Sequence, residues 1–350
     1  MNYRHLHILH DTKFTLPFIK FIKENFPKNE HFFAVYSRYK IDSESYNYKN
    51  VWVGKNFLDL FHLSKVMNSS ERIYIHSFNI HKFIQLLFIQ PWLLKKSYWI
   101  IWGADLLFYK NIPKGLYYRI YEMMRKVVIK NLGSIITHTP GDYRVAQEVY
   151  KTKAKLWECI YYPEAFPHLH AKDIDIKNNE KGLKILLGNS ASESNNHKEI
   201  ILKLSKLKDQ DFSVICPLSY GNEEYAKEVI VYGKQLLENR FNAITEFLEI
   251  SEYFRVLAKV DVAIFNFDRQ QALGNIVTLF YLGKKIFLKD NTNLTEMLNL
   301  KGLKFYLVNQ LESELFKPLD ISVKDENREQ VNRHFSREKS KQDWGRIFNN

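Results

Sequence analysis

The chain has 350 residues, 45% hydrophobic, 26% charged and 15% aromatic, a balance that excludes a disordered polypeptide and suits two folded domains. Its formal net charge of +12 is unevenly placed: residues 1–175 hold 25 Lys and Arg against 15 Asp and Glu, the remainder 26 against 24. A basic first half suits an anionic partner (nucleic acid, an anionic membrane or a phosphate-bearing substrate) and equally a lysine-rich solvated surface.

Residues 1–10 have too short an apolar core for a secretory signal. No segment supplies the roughly 20 apolar residues of a membrane span; the nearest, 83–94, is interrupted by Gln85, Gln90 and Pro91. Cys159 and Cys216 lie far apart in apolar runs, with neither metal-ligand spacing nor a disulfide framework, which suits a reducing compartment.

The first half alternates short apolar runs with helical spacing, as α/β domains do. A strand at 3–9 ends on His10-Asp11 and precedes a helix at 14–25. Strands at 32–36, 51–53 and 72–76, with a helix at 58–68, lead to His76. Residues 80–94 have helical spacing, and the apolar strand 97–102 ends at Gly103-Ala104-Asp105. Helix 117–131 and strand 134–138, ending on His138, follow, with Gly141-Asp142 just beyond. Carboxylates and imidazoles at strand ends are where a rigid element can hold a general base at a cleft. Helix capping accounts for any one of them; several on one edge favour a cleft. Asp11 and Asp105 lead as bases, with His76 and His138 behind them. Helix 117–131 mixes Arg119, Arg125, Lys126 and Lys130 with Tyr117, Tyr118, Tyr121, Met123 and Met124. That mixture fits an interfacial helix on anionic lipid, or an amphipathic helix packed on its own sheet.

Periodicity fades between 163 and 181, the best linker candidate. A second α/β unit opens with a strand at 183–188 running into Gly188-Asn189-Ser190, and Asn195-Asn196-His197 opens a helix at 198–207. Capping explains one or two of these six residues. The strand 212–217 ends at Pro217, and the turn after it presents Tyr220. Helix 223–237 follows, and then a loop in which Phe247 could stack on a nucleobase and Glu246 bind a ribose hydroxyl, or serve as an ordinary core Phe and surface Glu. After a helix at 251–259 and a strand at 261–265 comes Arg269-Gln270-Gln271, with Gly274 and Asn275, before a helix at 276–282 and a strand at 285–288. A strand, a polar loop and a helix start form an anion site: Arg269 grips a phosphate bidentately, Gln270 and Gln271 donate, and Gly274 admits close backbone approach. A diphosphate fits. Residues 327–350 are charged with scattered aromatics and have helical character. Glycine-rich dinucleotide and P-loop patterns, HExxH and GxSxG are all absent from the sequence.

Three segments together resemble a known family. Trp99-Ile-Ile-Trp102-Gly103-Ala104-Asp105-Leu106 is similar to its WxIWGADL signature; Ile185-Leu-Leu-Gly188-Asn189-Ser190 with Asn195 and His197 to its ILxGNS…NxH segment; and Arg269-Gln270-Gln271 with Gly274 to its RQQxxG loop. These are signatures of the TDP-N-acetylfucosamine:lipid II N-acetylfucosaminyltransferases of glycosyltransferase family 56. The resemblance implies a GT-B architecture, two Rossmann-like domains facing across a cleft. Residues 1–165 would bind the acceptor, with a C-terminal helix at about 328–350 packing back on them, and 180–327 would bind the nucleotide-sugar donor. It implies an inverting, metal-independent transfer without a cofactor. A deoxy-amino sugar would move from a nucleotide diphosphate, a dTDP-sugar by the family's habit, to a polyprenyl-diphosphate-linked saccharide. The setting implied is the cytoplasmic face of the bacterial inner membrane, with its anionic surface as a partner. His10 and Ser219 stand where the family pattern has glycine, and Ala272 and Asn275 alter the edge of the phosphate loop. Two other readings remain: a non-catalytic nucleotide-sugar binding protein, and a basic nucleic-acid-binding protein, which leaves the Arg-Gln-Gln loop and the carboxylate-bearing strand ends without a use.

Overall fold

A computed structural model describes residues 3–36, 46–54, 59–110, 112–163, 182–207, 209–268 and 271–350. The chain divides into two compact units, Met1–Glu164 with Glu338–Asn350, and Ala165–Arg337. The first begins with β1 (His5–His10), α1 (Thr15–Asn25), β2 (His31–Tyr36), β3 (Val51–Gly54), α2 (Asp59–Ser69) and β4 (Arg72–His76). It continues through α3 (His81–Ile89), β5 (Ser97–Ile100), α4 (Leu116–Asn131), β6 (Ser134–Thr137), α5 (Pro140–Tyr150) and β7 (Lys155–Glu158). The second begins with β8 (Leu183–Leu187), α6 (His197–Ser205), β9 (Phe212–Pro217), α7 (Glu223–Leu237), β10 (Phe241–Ile244) and α8 (Ile250–Lys259). Then come β11 (Val262–Phe265), α9 (Leu273–Tyr281), β12 (Lys285–Leu288), α10 (Asn293–Leu300), β13 (Tyr306–Leu307), α11 (Leu311–Glu314) and α12 (Ile321–His334). The last helix, α13 (Arg337–Phe348), belongs to the first unit.

Each unit is built on one parallel sheet. The strand orders are β3-β2-β1-β4-β5-β6-β7 and β10-β9-β8-β11-β12-β13. In both, the chain winds outward one way from the founding strand and then the other way. Right-handed crossovers therefore put the helices of the two arms on opposite faces, leaving a crevice where the order reverses, beyond β1 and β4 and beyond β8 and β11.

Most strands form because their residues are apolar almost without interruption, as a sheet covered on both faces requires, while β1 alternates histidine with leucine and isoleucine. Leu6, Ile8, Ile73, Ile75, Trp99 and Ile135 are buried together with Phe83 and Leu87 of α3 and Tyr121, Val128 and Ile129 of α4. Ile185, Leu187, Val214, Ile264 and Phe287 play the same part in the second unit. Each such side chain contributes roughly 1.5–3 kcal/mol when fully buried. Local signals fix the helix starts: Asn222 accepts from the backbone N–H groups of Glu224 and Tyr225 at 3.0 and 3.2 Å, and Glu249 with Glu252 makes a capping box on α8.

The structure adds α5, β7, β10, α10 and β13 to the elements expected from periodicity. It splits the run at 80–94: α3 stops at Ile89, and Pro91, which lacks a donor, starts a 3-10 turn. The helical character expected near 328–350 resolves into α12 and α13, parted at Phe335-Ser336. Of the expected linker, 164–181 lies outside the described residues.

The other face of the first sheet is covered by α1 and α13 and is unusually rich in histidine. His5, His7, His31 and His76 are all buried. His7 Nε2 lies 3.1 Å from His31 Nδ1, His7 Nδ1 lies 3.3 Å from His76 Nε2, and His76 Nδ1 lies 2.5 Å from the Tyr162 hydroxyl. Trp344 and Phe348 of α13 close over His7, with ring centroids 6.0 and 5.8 Å away. Burial, ahead of neighbouring cations and imidazoles, pulls His5 down to about 2 and His31 to about 3, and holds His7 and His76 well below the usual histidine range. The rings are therefore neutral in the folded protein, and each can donate from only one nitrogen, so the chain of bonds points one way along its length.

That neutrality sets a pH dependence. These histidines ionise near 6.5 when unfolded and far lower when folded, so their full stabilisation is present above about pH 6.5 and is lost as pH falls below it. Denaturant titrations between pH 8 and pH 5 should show a plateau and then a decline. Its slope should be as much as about 1.4 kcal/mol per pH unit for each histidine that takes up a proton on unfolding. A flat profile would show that the layer accepts charge in the folded state.

Candidate active site

In the second unit three loops meet beyond the carboxyl edge of the sheet. The first leaves β8 through Gly188, whose φ is +69° and where a Cβ would lie 2.5 Å from His197 Nε2, so only glycine fits. The loop is held from inside by Asn195, whose Nδ2 donates to the carbonyls of Ser190 and Ser192 at 3.1 and 3.2 Å. The second loop follows β9 and its terminal Pro217. It zips onto the first: Ala191 N–H donates to Tyr220 O and Asn222 N–H to Ala191 O, both at 2.8 Å. Gly221 permits the join, because with φ +122° a Cβ there would lie 2.5 Å from Ala191 O. Asn189 Nδ2 then donates to the Tyr220 hydroxyl at 3.0 Å.

The third loop leaves β11. Asn196 Nδ2 donates to Asn266 O at 2.8 Å, and Ser194 Oγ donates to Gln271 Oε1 at 3.3 Å, drawing this loop to the first. Ala272 takes a left-handed conformation, φ +57°, and α9 starts behind it, with Gly274 and Asn275 in its first turn. Asn275 Nδ2 donates to the Tyr253 hydroxyl of α8 at 2.8 Å. Arg269 and Gln270 lie outside the described residues. Glu246 and Phe247 are exposed on the loop between β10 and α8, as a base-stacking position would need to be.

Four buried polar atoms of this edge have no hydrogen-bond partner: Asn189 Oδ1, Asn195 Oδ1, His197 Nε2 and Gln271 Nε2. They are the only such atoms among the described residues of the second unit. Burial lowers His197 to about 4, so its ring is neutral and Nε2 donates or accepts according to tautomer. An unsatisfied buried polar atom costs about 1–3 kcal/mol. Four such atoms on the loops at the strand-order reversal, two of them amide oxygens that accept, mark an edge shaped for a polar ligand with donors and acceptors.

The first unit has its own reversal between β1 and β4. Asp11 follows β1, its N–H donating to Tyr36 O at 2.8 Å and its carboxylate accepting from the Tyr46 hydroxyl at 2.5 Å; it is half-buried. Ser77, one residue past β4, holds φ +78°, a strained value at a non-glycine position on the same edge. His76 itself points into the buried histidine chain rather than out of this edge. His138 is half-buried against Tyr161, with ring centroids 5.0 Å apart.

Besides His76, two more expected site residues serve the fold instead. Asp105 is buried and its carboxylate accepts from four donors: Phe78 N and Trp99 Nε1 on one oxygen, at 3.0 and 2.8 Å, and Trp102 N and Leu106 N on the other, at 3.0 and 3.1 Å. With its lone pairs used, it ties the loop after β5 to the loop after β4 and is no open base. Within the Trp-Ile-Ile-Trp-Gly-Ala-Asp signature, the Trp99 indole, the Trp102 N–H and Asp105 thus form a structural clasp. Arg125 is buried as well, donating to Asp105 O at 2.6 Å, Tyr150 Oη at 3.1 Å and Glu122 Oε2 at 3.1 Å. It faces the core because α4 turns that side to the sheet, and so it is withdrawn from any lipid surface. Arg119, Lys126 and Lys130 remain exposed. Between them Leu116, Ile120, Met123 and Val127, spaced along one stripe, are 73%, 40%, 53% and 44% exposed.

The sequence reading did not single out Tyr46 or Tyr253. Tyr46 follows a stretch without periodicity and carries no local signal. Tyr253 sits in the first turn of a strongly amphipathic helix, where an aromatic reads as core.

The fold and its two crevices are those of a GT-B glycosyltransferase, and comparison with known structures agrees. A glycosyltransferase from Rickettsia africae superposes with a TM-score of 0.72 at 13% identity, over 99% of this chain and 98% of that one. HepE of Anabaena, in complex with UDP, gives 0.70 at 12% identity over 99% of each chain. An α,α-trehalose 6-phosphate synthase from Burkholderia multivorans gives 0.68 at 8% identity, over 100% and 98%. The family model of the 4-alpha-L-fucosyltransferases, glycosyl transferase group 56, matches residues 7–349, and the chain belongs to that family.

The Ala191–Gly221 join is directly testable. Gly221→Ala should loosen the first two loops, costing about 1–3 kcal/mol locally, and weaken nucleotide binding in calorimetry at least about tenfold. Unchanged affinity would show that the two loops hold their places without the join.

Proposed function

We propose that this glycosyltransferase is an inverting, metal-independent enzyme that moves a deoxy-amino sugar of the N-acetylfucosamine kind from a dTDP-sugar to a polyprenyl-diphosphate-linked saccharide. The observation that carries the reading is the cluster of four unpartnered buried polar atoms beside the start of α9, in a chain of family 56. HepE, of the same fold, is described with UDP and with UDP-glucose, which supports a nucleotide-sugar donor.

In this mechanism the acceptor hydroxyl attacks the anomeric carbon as its bond to the diphosphate oxygen breaks. The electron pair leaves with the nucleoside diphosphate, the hydroxyl proton goes to a carboxylate, and the anomeric configuration inverts. The charge developing on the leaving diphosphate is met by the N–H groups opening α9, by Gln271 Nε2 and by Arg269, whose fixed positive charge substitutes for a divalent ion. Asn189, Ser190 and His197 line the donor edge, Glu246 and Phe247 are placed for ribose and base, and Tyr220 closes the side. Asp11 is the base in preference to Asp105, since only Asp11 retains an acceptor position to use.

Arg269→Ala should lower kcat about 10²-fold or more, and calorimetry with dTDP, UDP and GDP in metal chelator should show one nucleotide preferred and weakened by the substitution. Near-normal turnover in the variant would remove Arg269 from the mechanism, and failure of all three nucleotides to bind folded protein would overturn the donor reading.

The acceptor's lipid calls for a membrane surface, and the exposed α4 stripe with Arg119, Lys126 and Lys130 suits the anionic cytoplasmic leaflet of the inner membrane. Co-sedimentation with phosphatidylglycerol vesicles at low salt should fall when Ile120 and Met123 become Glu. Replacing the three cations by Ala should cost about 1 kcal/mol each. Equal recovery of wild type and variants in the vesicle pellet would exclude this face.

A further inference from the structure

We infer that Tyr46 is a positioning residue for Asp11: its phenol fixes which carboxylate oxygen faces the acceptor hydroxyl. This rests on Asp11 being the base. The two side chains are 35 residues apart in sequence and meet just past the carboxyl end of β1, on its β2 side, Tyr46 Oη donating to Asp11 Oδ1 at 2.5 Å. Tyr46 is only 7% exposed, so its ring is a fixed element rather than a mobile surface group. Asp11 is anchored through its backbone as well, its N–H on Tyr36 O at the end of β2.

The geometry divides the carboxylate's two oxygens. Oδ1 is committed to the phenol, and Oδ2 has no hydrogen-bond donor from the described residues. Contrast Asp105, where both oxygens are filled. A base held through one oxygen and open at the other has the pre-organisation that proton abstraction needs, because the reacting oxygen stays in place without being consumed by the support. The phenol keeps its proton: burial, and next the bond to Asp11, raise its ionisation far above the usual tyrosine range. It is therefore a donor at every working pH.

The test compares wild type, Asp11→Asn and Tyr46→Phe, with dTDP-N-acetylfucosamine and lipid II as probes and dTDP release as the readout. Tyr46→Phe should lower kcat about tenfold with donor KM unchanged. With turnover expressed per dTDP-binding site counted by calorimetry, a folding defect alone leaves kcat in place. Asp11→Asn should reduce kcat at least about a hundredfold. If Asp11→Asn turns over normally, the base assignment fails and this inference with it. If Asp11→Asn is inactive but Tyr46→Phe has the wild-type kcat, the base stands and the positioning role is overturned.

Discussion

Right-handed crossovers running outward in both directions from one founding strand are the constraint on which the rest of this molecule depends. Once the order in each sheet reverses beside β1 and beside β8, the loops at the carboxyl ends of β1, β4, β8 and β11 cannot be covered by the helices that follow them. Those loops must then carry polar groups that the fold itself does not satisfy. In the second unit this is literal: Asn189, Asn195, His197 and Gln271 each leave a buried polar atom unmet on the two loops that flank the reversal. The glycines follow from the same crowding, since Gly188 and Gly221 stand where a Cβ would strike His197 or Ala191. Topology chooses the place, and side-chain chemistry then makes it a site.

Several large buried polar groups of the first unit are matched instead, although Glu122 Oε1 and His5 Nε2 are left without a hydrogen-bond partner. Asp105 takes four donors, Arg125 is spread over three acceptors, and the histidine layer passes its hydrogen bonds from His31 to Tyr162. A buried charge is tolerable only with such partners, and losing one of them would leave an uncompensated group costing several kcal/mol. The histidines avoid that cost by remaining neutral, which ties the docking of α13 to pH. Matching is what separates Asp105, with both oxygens filled, from Asp11, with one oxygen open.

That distinction explains what the sequence could and could not convey. Strands such as 72–76 and 285–288 were legible because apolar runs of that length admit few alternatives, whereas β10 is half-exposed and β13 has only two residues, so neither carries a pattern. The helix α5 hides behind Pro140-Gly141, which reads as a turn although proline suits a first helical position. Asn189, Ser190, Asn195 and His197 could be placed at a strand end from their spacing alone. Asp11 and Asp105 looked equivalent by the same logic. Their difference lies in contacts from elsewhere: Tyr46 reaches Asp11 across 35 residues, and Phe78 N reaches Asp105 across 27. Local pattern carries no information about such contacts.

Helix α4 shows the same division within one element. Arg119, Arg125, Lys126 and Lys130 were one basic set in the sequence, yet at 3.6 residues per turn they cannot share a face. Arg125 falls on the side of Tyr121, Val128 and Ile129 and becomes the hub beneath Asp105, while Leu116, Ile120, Met123 and Val127 fall on the side left open. Four apolar side chains on an exposed stripe are not accounted for by the fold of the unit, which already fills its core with the opposite face of the helix. The stripe begins at the end of α4 next to the carboxyl edge of the sheet, where Tyr117 meets His81 at 3.0 Å and Tyr121 donates to Phe78 O at 3.3 Å. In the function proposed above, that stripe and Asp11 would serve the lipid of the acceptor and its reacting hydroxyl from one edge of one sheet.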